Sequence, residues 1–135
     1  MNRLRLTATI YCLVLLLAAS LNYLPYVPVE DGKTFGIFAL DIYDDALHFA
    51  SAAWAGIAAW LGARASRSFL VVFGFLYFAD GLLGLATGSG YLDLGIVNFG
   101  VQVLPLGFKV LANLPHLTLG GVALVAGILM RRDVP

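Results

Sequence analysis

Charge is scarce in this chain of 135 residues: Asp, Glu, Lys and Arg together make up 12% of it. A water-soluble domain carries roughly 25%. The charges left are too few to coat a surface in water, so lipid must be the solvent for much of the chain. A single cysteine, Cys12, excludes an internal disulfide and a thiolate metal cluster. It lies inside an apolar run and reads as a lipid-facing or packing residue. Eight basic residues balance eight acidic ones. There is no basic excess to neutralise phosphates, which argues against a nucleic-acid partner. Phosphate loops, nucleophile elbows, zinc-protease helices and prenylation tails are also missing, so no enzyme class is indicated.

Apolar runs are abundant. Four of them, at about 6–24, 45–63, 68–86 and 114–130, predict an all-α chain forming a single integral membrane four-helix bundle. Each run of about 17–20 residues matches a hydrocarbon layer ~30 Å thick at ~1.5 Å of rise per residue. The first run follows Arg3 and Arg5 as a signal peptide would, but it exceeds the ~7–15 residues of a signal core. Pro25 and Pro28 end it, since proline has no N–H to continue a helix. Between the second and third runs only Arg64 to Ser68 are left as a connection, which makes those two helices antiparallel neighbours.

The arginines give a direction. Arg3 and Arg5, Arg64 and Arg67, and Arg131 and Arg132 mark three ends on one side. The other side holds Lys33 and Lys109 among Glu30, Asp31, Asp41, Asp44, Asp45 and Asp93. Basic residues stay cytoplasmic, so both termini are expected there. Of the outer loops, Gly88 to Asn113 is too apolar to stay dissolved, and an interfacial or partly re-entrant helix is expected in it. Tyr23, Tyr26, Tyr43, Tyr91 and Trp60 suit an interfacial aromatic belt. Gly74, Gly81 and Gly84, with Gly120 and Gly121, suit close helix packing.

Helices two and four align at an offset of 68 residues: Asp45-Ala46-Leu47-His48 matches Asn113-Leu114-Pro115-His116, and an arginine follows each histidine by 16 residues. The two histidines should therefore lie at equal depth, about 24 Å above the arginine boundary, with Asp80 at about 18 Å. An intramembrane carboxylate is costly unless paired or hydrogen-bonded. Asp44 falls one helical turn before His48. One reading makes Asp44 or Asp45, with His48, Asp80 and His116, the lining of an outward-facing pocket. They would then be ligands for a divalent metal. Alternatively, His48 and His116 would be axial ligands of a haem or other tetrapyrrole, with Ala52 and Gly120 leaving room for a flat ring. The other reading makes Asp45 and Asn113 helix caps, each histidine reaching back to its own cap. Proton or solute transport past Asp80 is a further possibility, although no second deep carboxylate continues a relay inward.

The motifs Asp45-Ala46-Leu47-His48-Phe49 and Asn113-Leu114-Pro115-His116-Leu117, with Gly120 after the second, resemble those of an uncharacterised family of small four-helix bacterial membrane proteins. In that family helices two and four open with Asn or Asp, two residues, then His-Leu. The likeness covers about residues 36–130, and the first copy departs from it at Phe49 and Ala52. It implies the four-helix fold and the bacterial inner membrane, and no activity. The expected function is that of a small non-enzymatic membrane protein, an accessory or structural subunit of a complex or homo-oligomer. The alternative is a haem- or metal-binding protein using His48 and His116.

Overall fold

In the computed structural model, which describes residues 1–135, Asn2 opens the first helix. Its side chain accepts the N–H groups of Leu4 and Arg5 to cap α1 (Arg3–Ser20), filling donors that a helix start leaves free. A 3-10 turn over Leu21–Tyr23 ends the element. The first outer loop then folds into a short antiparallel ribbon, β1 (Val29–Glu30) and β2 (Lys33–Thr34), a small addition to the all-α expectation. Asn22 pins that loop to α1, donating to the Leu40 carbonyl at 2.6 Å and accepting from the Thr34 hydroxyl at 2.7 Å.

The cap of α2 (Ile42–Leu61) is Asp41, not Asp45. The Asp41 side chain accepts from Tyr43 and Asp44, and the Asp44 carboxylate accepts the Asp41 N–H, a complete capping box. The helix therefore begins about a turn earlier than the apolar run does. No loop over Arg64–Ser68 separates α2 from α3 (Ala63–Thr87). A single residue, Gly62, joins them at φ +125, a conformation that side-chain-bearing residues rarely adopt. Ser66 is buried, its hydroxyl placed to donate to the carbonyls of Ala58 and Gly62 and fasten the turn.

The second outer loop contains a short helix, α4 (Gly95–Phe99). The last helix, α5 (Leu106–Leu129), starts well ahead of the apolar run at 114–130. Pro115, expected near the helix start, lies inside it, so the Leu111 carbonyl loses its helical donor. Asn113 caps nothing and donates to the Lys109 carbonyl one turn back, at 2.8 Å.

Two antiparallel pairs result, α1 with α2 and α3 with α5, joined through α3. The α3–α5 crossing is built on glycine: a Cβ on Gly74 would strike the Leu124 backbone, and one on Gly120 the Phe78 backbone. Gly81 receives the Leu117 side chain and Gly84 that of Asn113. Small residues let backbones approach where lipid offers no hydrophobic drive between helices. An aromatic column fills the centre, with ring centroids of Phe69 and Phe73 at 4.9 Å and of Phe73 and Tyr77 at 4.0 Å. Tyr11 reaches across from α1 to donate to the Leu119 carbonyl at 2.7 Å.

The arginine-bearing ends gather at one end of the bundle. Arg3 pairs with Asp133 at 3.0 Å, Arg5 donates to the Ala59 carbonyl and Arg67 to that of Gly127. Both termini lie there too, since Asn2 donates to the Asp133 carbonyl. Large apolar side chains such as Leu13, Leu17, Phe75 and Val122 point outward. Three helical segments, Arg3–Tyr23, Ala63–Thr87 and Leu106–Asp133, are long and apolar enough to cross a membrane. With its acidic first turn and run of alanines, α2 is not among them.

Candidate functional site

At the end opposite the arginines the two helix pairs part, and a cavity of about 490 Å3 opens between them. Its lining includes His48, Asp80 and His116 and, of the two acids offered by the sequence, Asp44 and not Asp45. The capping reading of the histidines is overturned by the same helix starts. With α2 capped at Asp41 and α5 beginning at Leu106, both histidines sit inside their helices and face each other across the gap. Their ring centroids lie 5.9 Å apart, edge to face. The two histidines of the repeat are therefore neighbours, with ten helical residues of α5 before His116 and six of α2 before His48.

Asp80 projects from α3 and is almost fully buried. One carboxylate oxygen is hydrogen-bonded to Nδ1 of His116. The other accepts the backbone N–H groups of Tyr91 at 2.7 Å and Leu92 at 2.9 Å. Charge-assisted bonds of this kind are about twice as strong as neutral ones, and here they serve two ends. They hold the second outer loop down over the helix ends, and they orient the His116 ring with Nδ1 towards Asp80 and Nε2 away from it. Gly90 makes the approach possible, since a Cβ there would stand 2.6 Å from an Asp80 oxygen. The Tyr91 hydroxyl donates to the Leu76 carbonyl at 2.8 Å. Burial raises that phenol above the ordinary tyrosine value, and the nearby Asp80 charge adds to the effect.

His48 is the contrast. It is only 7% exposed, and its Nδ1 is buried with no hydrogen-bond partner. Tyr77, whose ring lies 4.9 Å from that of His116, does not serve it, because its hydroxyl is shared with Ser51 at 2.9 Å. Buried polar groups are nearly always paired, and the bare Nδ1 sets His48 apart from His116. Asp45 uses one oxygen to accept from the Tyr23 hydroxyl at 2.9 Å, and its second is likewise unpartnered.

Four charged lining residues lie outside the set expected from the sequence: Asp41 at the cap of α2, Asp93 in the second loop, and Lys33 and Lys109. Asp93 lines the same cavity as Asp44. Its one sequence signal is a lone acid in the apolar stretch Leu92-Asp93-Leu94.

The chemistry of the donor set can be tested against the expected groups. No three His, Cys, Asp or Glu side chains converge closely enough to hold a metal ion. The slot a tetrapyrrole would need is also filled. Ala52 is wholly buried, Gly120 is spent on the α3 backbone, and neither opens onto the cavity. No known family model, curated protein or solved structure matches the chain.

Proposed function

We propose that this chain is a small, non-enzymatic four-span protein of the bacterial inner membrane, both termini cytoplasmic, that holds a small ligand in the cavity at its outer end. The observation that carries the reading is His48, a buried imidazole whose Nδ1 has no protein partner at the wall of a cavity large enough for a small molecule. His116, held by Asp80, offers a second oriented nitrogen beside it. The arginine end supports the orientation through the bias that keeps basic residues inside, and α2 would cross as the antiparallel partner of α1. The four-helix bacterial resemblance accords with the same location.

The test is native mass spectrometry of the protein taken from its own membrane into lipid nanodiscs. The wild type should carry a stoichiometric small molecule that His48→Phe lacks. A bare wild-type chain, under conditions that retain bound lipid, counts against ligand binding.

A second reading, an accessory or structural subunit of a membrane complex or homo-oligomer, rests on an apolar groove on the outer surface of the α1–α2 pair. Cys12, Leu16, Phe49, Ala53, Gly56 and Ile57 line it, and small residues there would admit a neighbouring helix closely. Sizing in mild detergent separates the two, because a monomer without a co-purifying protein sinks the subunit reading alone.

A further inference from the structure

The hydrogen bonds of the two outer loops divide the molecule into halves. The first loop is tied to the end of α1, where the Asn22 side chain takes both Leu40 and Thr34. The second is tied to α3: Asp80 accepts from Tyr91 and Leu92, the Tyr91 hydroxyl donates to Leu76, and the Gln102 N–H reaches the Thr87 carbonyl at 2.7 Å. No hydrogen bond joins one loop to the other, or the first loop to α5. Each loop therefore belongs to one helix pair, and packing is concentrated within the pairs, α1 on α2 and α3 on α5. Hydrogen bonds between the pairs run from the arginine end to mid-helix and stop there. Asn2 and Arg3 hold Asp133, Ser66 holds Ala58, Ser51 meets Tyr77, and Tyr11 meets Leu119. Further outward the cleft is spanned by ring contacts. His48 lies against His116 at 5.9 Å between centroids, and the Lys33 ammonium stands 4.8 Å over the Phe108 ring.

We propose that the chain is a clamshell: the α1–α2 and α3–α5 pairs, each carrying its own outer loop, rock about the arginine end, and the Lys33–Phe108 contact latches the outer cavity shut. The closed end is fixed by the one-residue turn at Gly62, the Ser66 hydroxyl and the Arg3–Asp133 ion pair. Hinge motions are absorbed by a few such terminal residues between bodies that stay rigid. The second half is rigid because its glycines bring the α3 and α5 backbones into contact. The cavity lies between the bodies, with Phe38, Leu40 and Asp41 on one wall and Ser89, Asp93 and Phe108 on the other. Parting the outer ends opens it without breaking a hydrogen bond of either loop. A cation–π contact on a partly exposed lysine is weak enough to break and re-form in thermal motion. The device does not depend on what the cavity holds.

Double electron–electron resonance on the full chain in nanodiscs, in a Cys12→Ser background, tests this. One spin-label pair, Ile42→Cys with Leu111→Cys, sits on exposed helical positions of the two halves at the outer end, outside the cavity lining. A second, Leu61→Cys with Arg131→Cys, reports the arginine end. The outer pair should show two distances and the inner pair one. Lys33→Ala should shift the outer populations towards the longer distance by about two- to fivefold, the effect of one cation–π contact. Phe108→Leu should do the same, and the double variant should add nothing further. A single outer distance that neither substitution moves overturns the hinge. Two outer distances whose balance ignores both substitutions overturn the latch. Widening of the inner pair together with the outer one means loosening of the whole fold and overturns the clamshell. So does lengthening confined to a loop pair, Asp31→Cys with Val103→Cys, while the helical pair stays fixed.

Discussion

His116 on α5 and Asp80 on α3 are joined by a hydrogen bond between Nδ1 and a carboxylate oxygen, while the opposite oxygen of Asp80 takes two backbone N–H groups from the second outer loop. One buried carboxylate thus ties two helices and a loop, and orients an imidazole at the cavity wall.

Replacing that carboxylate should release the loop. Asp80→Leu leaves two buried N–H donors and the His116 N–H unpaired, which costs roughly 2–4 kcal/mol at about 1–3 per orphaned group with partial relaxation. Thermal unfolding in detergent should show the loss, and hydrogen exchange at Tyr91 and Leu92 should accelerate. Asp80→Asn, which keeps an acceptor oxygen, should show less of both. Unchanged protection at those amides in Asp80→Leu would mean the loop is held by other bonds.

The α3–α5 crossing predicts a contrast between adjacent glycines. Gly120→Ala drives a methyl into the Phe78 backbone, whereas Gly121→Ala meets only the Phe78 side chain at an ordinary 3.6 Å. The first should destabilise by about 1–3 kcal/mol, as overpacking typically does. The second should be near neutral. Equal melting points for the two variants would place the helix contact on a different face.

At Gly62 the difficulty is backbone conformation rather than space, since a Cβ added there at φ +125 would meet nothing within 4 Å. Gly62→Ala should cost about 1–3 kcal/mol in strain at the α2–α3 turn. Gly107→Ala, equally open but inside a helix, should cost nothing or stabilise slightly. Parallel melts of the two variants check this.

Tyr91 should titrate above the free phenol value of about 10, because burial and then Asp80 disfavour its anion. A group whose folded value is raised stabilises the fold below its unfolded value and ceases to as pH climbs through the folded one. Stability should therefore fall above about pH 10, and less steeply in Tyr91→Phe. Ultraviolet difference spectra of the two proteins follow the phenolate directly. A Tyr91 that ionises at or below the free value would contradict its half-buried placement beside Asp80.

The helix content, the apolar segments and the ends that carry arginine could all be read from the chain, because hydropathy and charge act residue by residue through the solvent. The gathering of His48, His116 and Asp80 at the end away from the arginines was legible as well, since spacing along helices sets position along the bundle, whereas the choice of Asp44 over Asp45 was not. Helix starts are harder to read. Asp41 with Asp44 outcompetes Asp45 as a cap by forming a reciprocal box, and α5 starts at Leu106 without any side-chain cap. Because α5 begins so early, Pro115 resembles a start signal while standing inside the helix.

Composition and periodicity thus determined that this is a helical chain with membrane-length apolar segments and a polar cluster away from its arginines. Only the tertiary structure decided that Asp80 serves His116 and a loop, that Asp93 joins Asp44 in one cavity, and that Nδ1 of His48 is left without a partner. Those outcomes depend on how closely backbones approach, at Gly74 and Gly120 between helices and at Gly90 beneath the loop. Close approach is a property of pairs of segments, which no single stretch of sequence encodes.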